Sequence, residues 1–218
     1  MLIRELAAMI HQNAVDHGWW EVVRELPEIV ALIHSEWSDA LEEARAGRPM
    51  VWFAPDDNFE CCARNKCGAK MAGRMCYGPR HADMPRDYCP AHKKPEGVAV
   101  ELIDGCIRIL DALGYSKADI MDPDTGEPAQ FEELMGKYRA VPLEEMPEDV
   151  PTLIARLHAF TSQTMLEEDE SAVREVNLIA AMSLALSWVQ AQGIDPLALL
   201  LEKHEYNKGR PYKHGKRF

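Results

Sequence analysis

Hydrophobic residues recur at three- and four-residue intervals through most of this chain. Leu2, Leu6, Met9 and Ile10 fall on one face of Leu2–Val15, the spacing of an amphipathic helix. A second helix is expected from Pro27, whose ring suits a first helical turn, to about Ala46. It carries Ile29, Leu32, Ile33, Trp37, Ala40 and Leu41 at helical spacing and has Gly47 as its stop. The period is lost across residues 48–95, which are rich in Gly, Pro, Cys and charge. This reads as an inserted loop, too long to be structureless in a compact domain without a staple. Helix resumes at Glu96–Leu113 and is expected to end at Gly114. Met121–Pro128 reads as a turn-rich connector and Phe131–Arg139 as a short helix. Pro151–Met165 and Ser171–Gln192 form a further helical pair, and Asp195-Pro196 opens a last helix that Gly209–Pro211 stops. No stretch shows the alternation of a strand. The expected fold is all-α, a helical bundle with one domain over residues 1–218.

The pattern repeats within the chain. Pro27, Ala31, His34 and Ser38 match Pro151, Ala155, His158 and Ser162, with apolar residues agreeing between them. Val100-Glu101-Leu102-Ile103-Asp104-Gly105 matches Val176-Asn177-Leu178-Ile179-Ala180-Ala181. The two anchors are 73 residues apart in the first copy and 25 in the second, and the difference is about the length of the cysteine-rich insert. Copy one thus spans about 27–120 and a degenerate copy two about 150–208, two helix pairs expected to pack about a pseudo-twofold axis. The acids Glu36, Asp39, Glu101 and Asp104 of copy one face Phe160, Gln163, Asn177 and Ala180 in copy two. The second copy keeps the scaffold without the charge.

Those acids are the candidate chemistry. Glu36 and Asp39, and Glu101 and Asp104, are three apart, so each pair shares a helix face. Trp37, Leu41, Leu102 and Ile103 lie beside them, which places the acids at or inside a helix interface. Single acid pairs of this kind are commonly just exposed; two of them in apolar helices are different. Four converging carboxylates repel one another and lose hydration, a cost that a divalent cation offsets. Mg²⁺, or Mn²⁺ in its place, takes oxygen ligands and is shared with phosphates. Glu43, one turn beyond Asp39, is a further candidate ligand.

Charge and composition narrow the alternatives. The net charge of −12 argues against a long nucleic-acid partner, which needs broad positive charge. The longest apolar run, Leu178–Val189, is too short for a membrane span, and Met1–Ile10 lacks the pattern of a secretory leader. A cytoplasmic protein is expected. Five of the six cysteines lie between Cys61 and Cys89. In a reducing compartment this suggests metal rather than disulfides. A structural Zn²⁺ site would draw on Cys62, Cys67, Cys76 and Cys89, with Cys61 or His92 able to replace one; free cysteines are the plain alternative.

Four segments resemble the MazG-like branch of the all-α NTP pyrophosphohydrolases. They are His11–Trp20, His34-Ser-Glu-Trp-Ser-Asp-Ala-Leu-Glu-Glu-Ala-Arg45, Lys94–Asp104 and Glu202-Lys-His-Glu-Tyr-Asn-Lys-Gly-Arg-Pro-Tyr-Lys-His-Gly-Lys216. The resemblance implies Mg²⁺ held by Glu36, Asp39, Glu101 and Asp104, and hydrolysis of a nucleoside triphosphate to a monophosphate and pyrophosphate. Asp39 departs from the family's glutamate by one methylene. The basic tail follows copy two, which suggests a composite site with acids from one copy and cations from the other; a homodimer is left open.

Lys203 and Asn207 share a helix face and are expected to meet triphosphate oxygens. Arg210 adds a fork suited to phosphate, and Tyr212, His214 and Asn13 complete the expected substrate contacts. A solvated basic terminus is the plain alternative. Trp19 and Trp20 read mainly as packing residues, and His34, repeated as His158 without the acids, as structural. The competing reading of the whole chain is a non-catalytic helical module that binds a nucleotide or a protein.

Overall fold

The computed structural model describes residues 1–55, 93–138, 142–166 and 171–215. The fold is all-α in class, with helices α1 (Ile3–Asp16), α2 (Leu26–Arg45), α3 (Val98–Ser116), α4 (Val150–Gln163), α5 (Ser171–Ala191) and α6 (Pro196–Lys208). Pro27 sits in the first turn of α2. Asp149 caps α4 by accepting from the Thr152 amide at 2.7 Å. Asp195 caps α6 by accepting from Leu197 and Ala198 at 3.0 and 3.1 Å. These side chains satisfy amides that a helix start leaves unpaired.

Helix α3 is the centre of the molecule. It packs against α1, α2, α5 and α6, while α4 packs against α2 and α5. Val98, Ala99, Val100, Leu102, Ile103, Cys106, Ile109 and Leu110 are all buried, as a helix surrounded by others requires. Gly105 sets how closely α2 approaches: a Cβ there would stand 2.2 Å from Cζ3 of Trp37. Gly114 was expected to end this helix, but α3 runs on to Ser116 and stops where Lys117 turns left-handed with φ 55°. Gly114 serves contact instead, since a Cβ there would meet the Ala7 carbonyl oxygen at 2.5 Å.

Between α2 and α4, His34 stacks on His158 with ring centroids 4.7 Å apart, and their Nδ1 atoms are 2.5 Å apart. Trp37 Nε1 donates to Thr161 Oγ1 at 3.0 Å. Both contacts join positions that the sequence alignment of the two segments pairs.

Two expectations need correction. A short antiparallel pair, β1 (Trp52–Pro55) and β2 (Lys93–Glu96), joins the ends of the segment read as a strandless insert, with Trp52 opposite Glu96 and Pro55 opposite Lys93. The strands are four residues long and contain Pro55 and Pro95, so local composition could not announce them; β2 is held by its partner strand and by contacts to α3 and α6. The short helix expected over Phe131–Arg139 is a 3₁₀ turn, Phe131–Met135, with a reciprocal cap between Gln130 and Glu133. Among the described residues, no single helix is long and apolar enough to cross a membrane.

Candidate functional site

The site grows from the contact of α2 with α3. Each helix presents its acids toward the other beside buried apolar residues, Trp37 and Ala40 on α2 and Leu102 and Ile103 on α3. One carboxylate oxygen from each of Glu36, Asp39 and Glu101 lies within 4.8 Å of the other two. Glu101 is 6% exposed. Burial, together with the charge of Asp104, pushes its carboxyl up to about 9, and Lys203 only partly opposes this. Burial also raises Glu36, against the pull of Arg108. Glu96 on β2 is hydrogen-bonded to Glu101; burial opposes its ionisation, yet that bond and Lys94 hold it below the ordinary carboxylate range.

Asp104 stands apart from the trio. Its Oδ2 pairs with Lys203 Nζ at 2.9 Å, and the same ammonium donates to the Pro95 carbonyl oxygen at 2.9 Å. Lys203 is 1% exposed. It was expected to reach triphosphate oxygens; instead it is buried and committed to Asp104 and β2. Arg108, one turn beyond Asp104 on α3, donates from Nε to Glu36 Oε1 at 3.0 Å. Glu43 is occupied as well, accepting from Trp52 Nε1 at 2.7 Å, so it is tied to β1 and not to the trio.

A cavity of about 190 Å³ opens over these groups. Glu36, Asp39, Glu101, Asp104 and Arg108 line it, as do Asn13 and Trp19 from the N-terminal region and His204, Asn207 and Arg210 from the end of α6. Two polar atoms on the α6 side, His204 Nε2 and Asn207 Oδ1, are buried without a hydrogen-bond partner among the described residues. Burial lowers the His204 imidazole below its ordinary value, so it is neutral near pH 7. Unpaired buried polar atoms cost free energy, and a ligand in the cavity is one way to satisfy them.

The expected site residues therefore divide. Glu36, Asp39, Glu101, Asp104, Asn13, Asn207 and Arg210 converge on one cavity. Lys203 lies behind its wall. Tyr212 is half-exposed and does not reach the cavity; its ring rests on Gly18, where a Cβ would meet Cε2 at 2.1 Å. Its hydroxyl faces Glu21, which raises the tyrosine and lowers the carboxyl. Tyr212 thus fastens the tail to the turn that follows α1, helped by Lys213 N donating to the His17 carbonyl oxygen at 3.0 Å. The side chain of His214 falls outside what is described. So do Cys61, Cys62, Cys67, Cys76, Cys89 and His92, which carry the zinc expectation.

Arg108, Glu96, Lys94 and His204 were missed in the sequence. Arg108 had a readable signal, since it lies four residues after Asp104 on the same helix face. Glu96 and Lys94 had none, because β2 places them. Asp111, also in the cavity wall, accepts from Trp20 Nε1 at 2.9 Å and is bonded to His11 Nδ1 at 2.8 Å. Trp20 stacks on Tyr115 at 4.3 Å, so His11 and Trp20 belong to a packed polar-aromatic cluster beside the site.

No family model matches this chain, and neither a curated protein nor a solved structure matches it significantly.

Proposed function

We propose that this protein is a divalent-metal-dependent nucleoside triphosphate pyrophosphohydrolase of the all-α, MazG-like type, releasing a nucleoside monophosphate and pyrophosphate. The observation that carries the reading is the convergence of Glu36, Asp39 and Glu101 within 4.8 Å in a cavity also lined by His204, Asn207 and Arg210. The donor set fits magnesium or manganese: all three ligand atoms are carboxylate oxygens. Holding them ionised is costly without a cation: burial, then Asp104, raises Glu101, and burial with Asp104 and Asp39 raises Glu36. Glu36, Asp39 and Glu101 would hold the ion, while Asp104 stays paired with the enclosed Lys203. The ion, when bound, supplies charge neutralisation at phosphate oxygens and activation of water.

The chain's own residues supply position and charge. Arg210 brings a cation to the cavity wall, suited to the leaving pyrophosphate. Trp19, buried and met by Arg24 and Arg108 at 5.0 and 5.8 Å from its ring centroid, is a packed part of the cavity wall. Water adds to the α-phosphorus, and the oxygen bridging the α- and β-phosphorus leaves with pyrophosphate. The site is composite on this reading. Acids come from α2 and α3 and cationic groups from the end of α6, with α4 and α5 a degenerate second copy of the α2–α3 pair.

One observation favours the competing reading of a non-catalytic nucleotide-binding module: Arg108 and Lys203 already neutralise Glu36 and Asp104. ³¹P NMR on a panel of common deoxy- and ribonucleoside triphosphates with Mg²⁺ separates the two. Hydrolysis predicts pyrophosphate and monophosphate rising together from at least one triphosphate. Tight nucleotide binding with no product refutes catalysis.

A further inference from the structure

Arg108 and Lys203 both pair with acids of the site, yet they are held very differently. Lys203 is almost wholly enclosed and makes two contacts, to Asp104 and to the Pro95 carbonyl oxygen. Leaving them would strand a buried ammonium and a carboxylate, so it is a fixed part of the wall. Arg108 is 22% exposed along its side chain and lines the cavity. Its one hydrogen bond among the described residues runs from Nε to Glu36, which leaves the two terminal nitrogens of the guanidinium unengaged. The ring of Trp19 lies under it, 5.8 Å from the guanidinium carbon to the centroid, a contact that survives a small swing of the head group. Its partner Glu36 belongs to the carboxylate trio, so a cation entering the trio draws on the same carboxylate that Arg108 now holds.

We propose that Arg108 is an exchangeable phosphate clamp: a divalent ion takes Glu36 from it, and the released guanidinium binds phosphate oxygens of the nucleotide. The inference rests on the pyrophosphohydrolase reading and gives Arg108 the role that the sequence suggested for Lys203. A guanidinium suits it better than an ammonium, because its planar fork meets two phosphate oxygens at once. Exchange also orders the events. Without the ion, Glu36 and Arg108 neutralise each other and the nucleotide lacks a clamp.

The test is Arg108→Met, with Arg108→Lys beside it to retain charge without the fork. Mn²⁺ binding is read by electron paramagnetic resonance without nucleotide. Deoxynucleoside triphosphate binding is read by calorimetry with Ca²⁺ in place of Mg²⁺. The proposal expects Arg108→Met to bind Mn²⁺ several-fold more tightly than the parent, because a competitor is gone. The same variant should bind the triphosphate about 10- to 100-fold more weakly, the worth of a lost charged hydrogen bond. Arg108→Lys should fall between on both. Weaker binding of Mn²⁺ and nucleotide together would overturn the proposal, showing that Arg108 merely holds Glu36 in place. Tighter Mn²⁺ with unchanged nucleotide affinity would overturn the clamp. Absence of Mn²⁺ binding in the parent protein would defeat the metal-dependent reading itself.

Discussion

Glu36, Asp39, Glu101 and Asp104 stand on α2 and α3 at positions whose sequence counterparts on α4 and α5 are Phe160, Gln163, Asn177 and Ala180. The two helix pairs meet through His34 on His158 and Trp37 on Thr161, yet they bury different chemistry. The α4–α5 pair buries the neutral hydroxyls of Thr161, Thr164, Ser183 and Ser187. Thr161 is fully used, accepting from Trp37 and donating to the Leu157 carbonyl oxygen at 2.8 Å. The α2–α3 pair gathers carboxylates that repel one another, Glu101 buried, Glu36 and Asp104 half-buried and Asp39 exposed, answered only in part by Arg108 and Lys203. Neither arrangement is free: Thr164 Oγ1 and Ser187 Oγ have no hydrogen-bond partner among the described residues. Gathering carboxylates costs more than burying neutral hydroxyls, and a ligand gives that added cost a purpose.

The largest expected effect breaks the charged pair. Glu101→Gln should lower pyrophosphate release at least about a hundredfold while leaving the helical circular dichroism unchanged. Retained activity would remove Glu101 from the site. Importing charge into the neutral pair should cost stability instead. The double variant Asn177→Glu, Ala180→Asp is expected to lower unfolding free energy by about 1–3 kcal/mol, measured by urea titration, and to add no Mn²⁺ site. A gained site would mean that helix geometry alone suffices.

Gly105→Ala sharpens the contrast, since its Cβ would drive Trp37 away from α3. It should cost about 1–3 kcal/mol and weaken Mn²⁺ binding along with stability. A loss of stability with Mn²⁺ affinity intact would separate the trio from the close approach of the helices. Trp37→Phe removes a single hydrogen bond across the two pairs and should cost about 1 kcal/mol. In a double-mutant cycle with Thr161→Val, additive costs would show that the bond contributes nothing.

A pH slope tests the same contrast without any substitution. In the metal-free fold Glu101 is pushed up to about 9 from an ordinary 4.5, and Glu36 is raised too. Over that window the folded state holds more protons than the unfolded one. Their contribution to metal-free stability therefore falls as pH rises from about 5 toward 9, while the lowered imidazoles of His34, His158 and His204 act the other way below about pH 7. Melting temperatures without metal should decline above about pH 7, and Glu101→Gln should flatten the decline.

Helical periodicity made the fold class legible, along with nearly every helix, because 3.6-residue patterning and the caps at Asp195 and Pro27 are local signals. The acid pairs were legible for the same reason, three-residue spacing on one helix face. What the pattern could not show was which cation meets which acid. Lys203 read as a free end-of-helix charge because only the three-dimensional return of β2 encloses it, through the Pro95 carbonyl. Tyr212 read as a substrate contact because the glycine it rests on, Gly18, is at the other end of the chain. Both misplacements arise from contacts between residues far apart in sequence.

The most direct measurement is anomalous diffraction from crystals soaked in Mn²⁺. A peak bonded to carboxylate oxygens of Glu36, Asp39 and Glu101 is expected, absent from Glu101→Gln crystals soaked alike. Crystals in which those three carboxylates stay unliganded at millimolar Mn²⁺, with Arg108 still on Glu36, would contradict it.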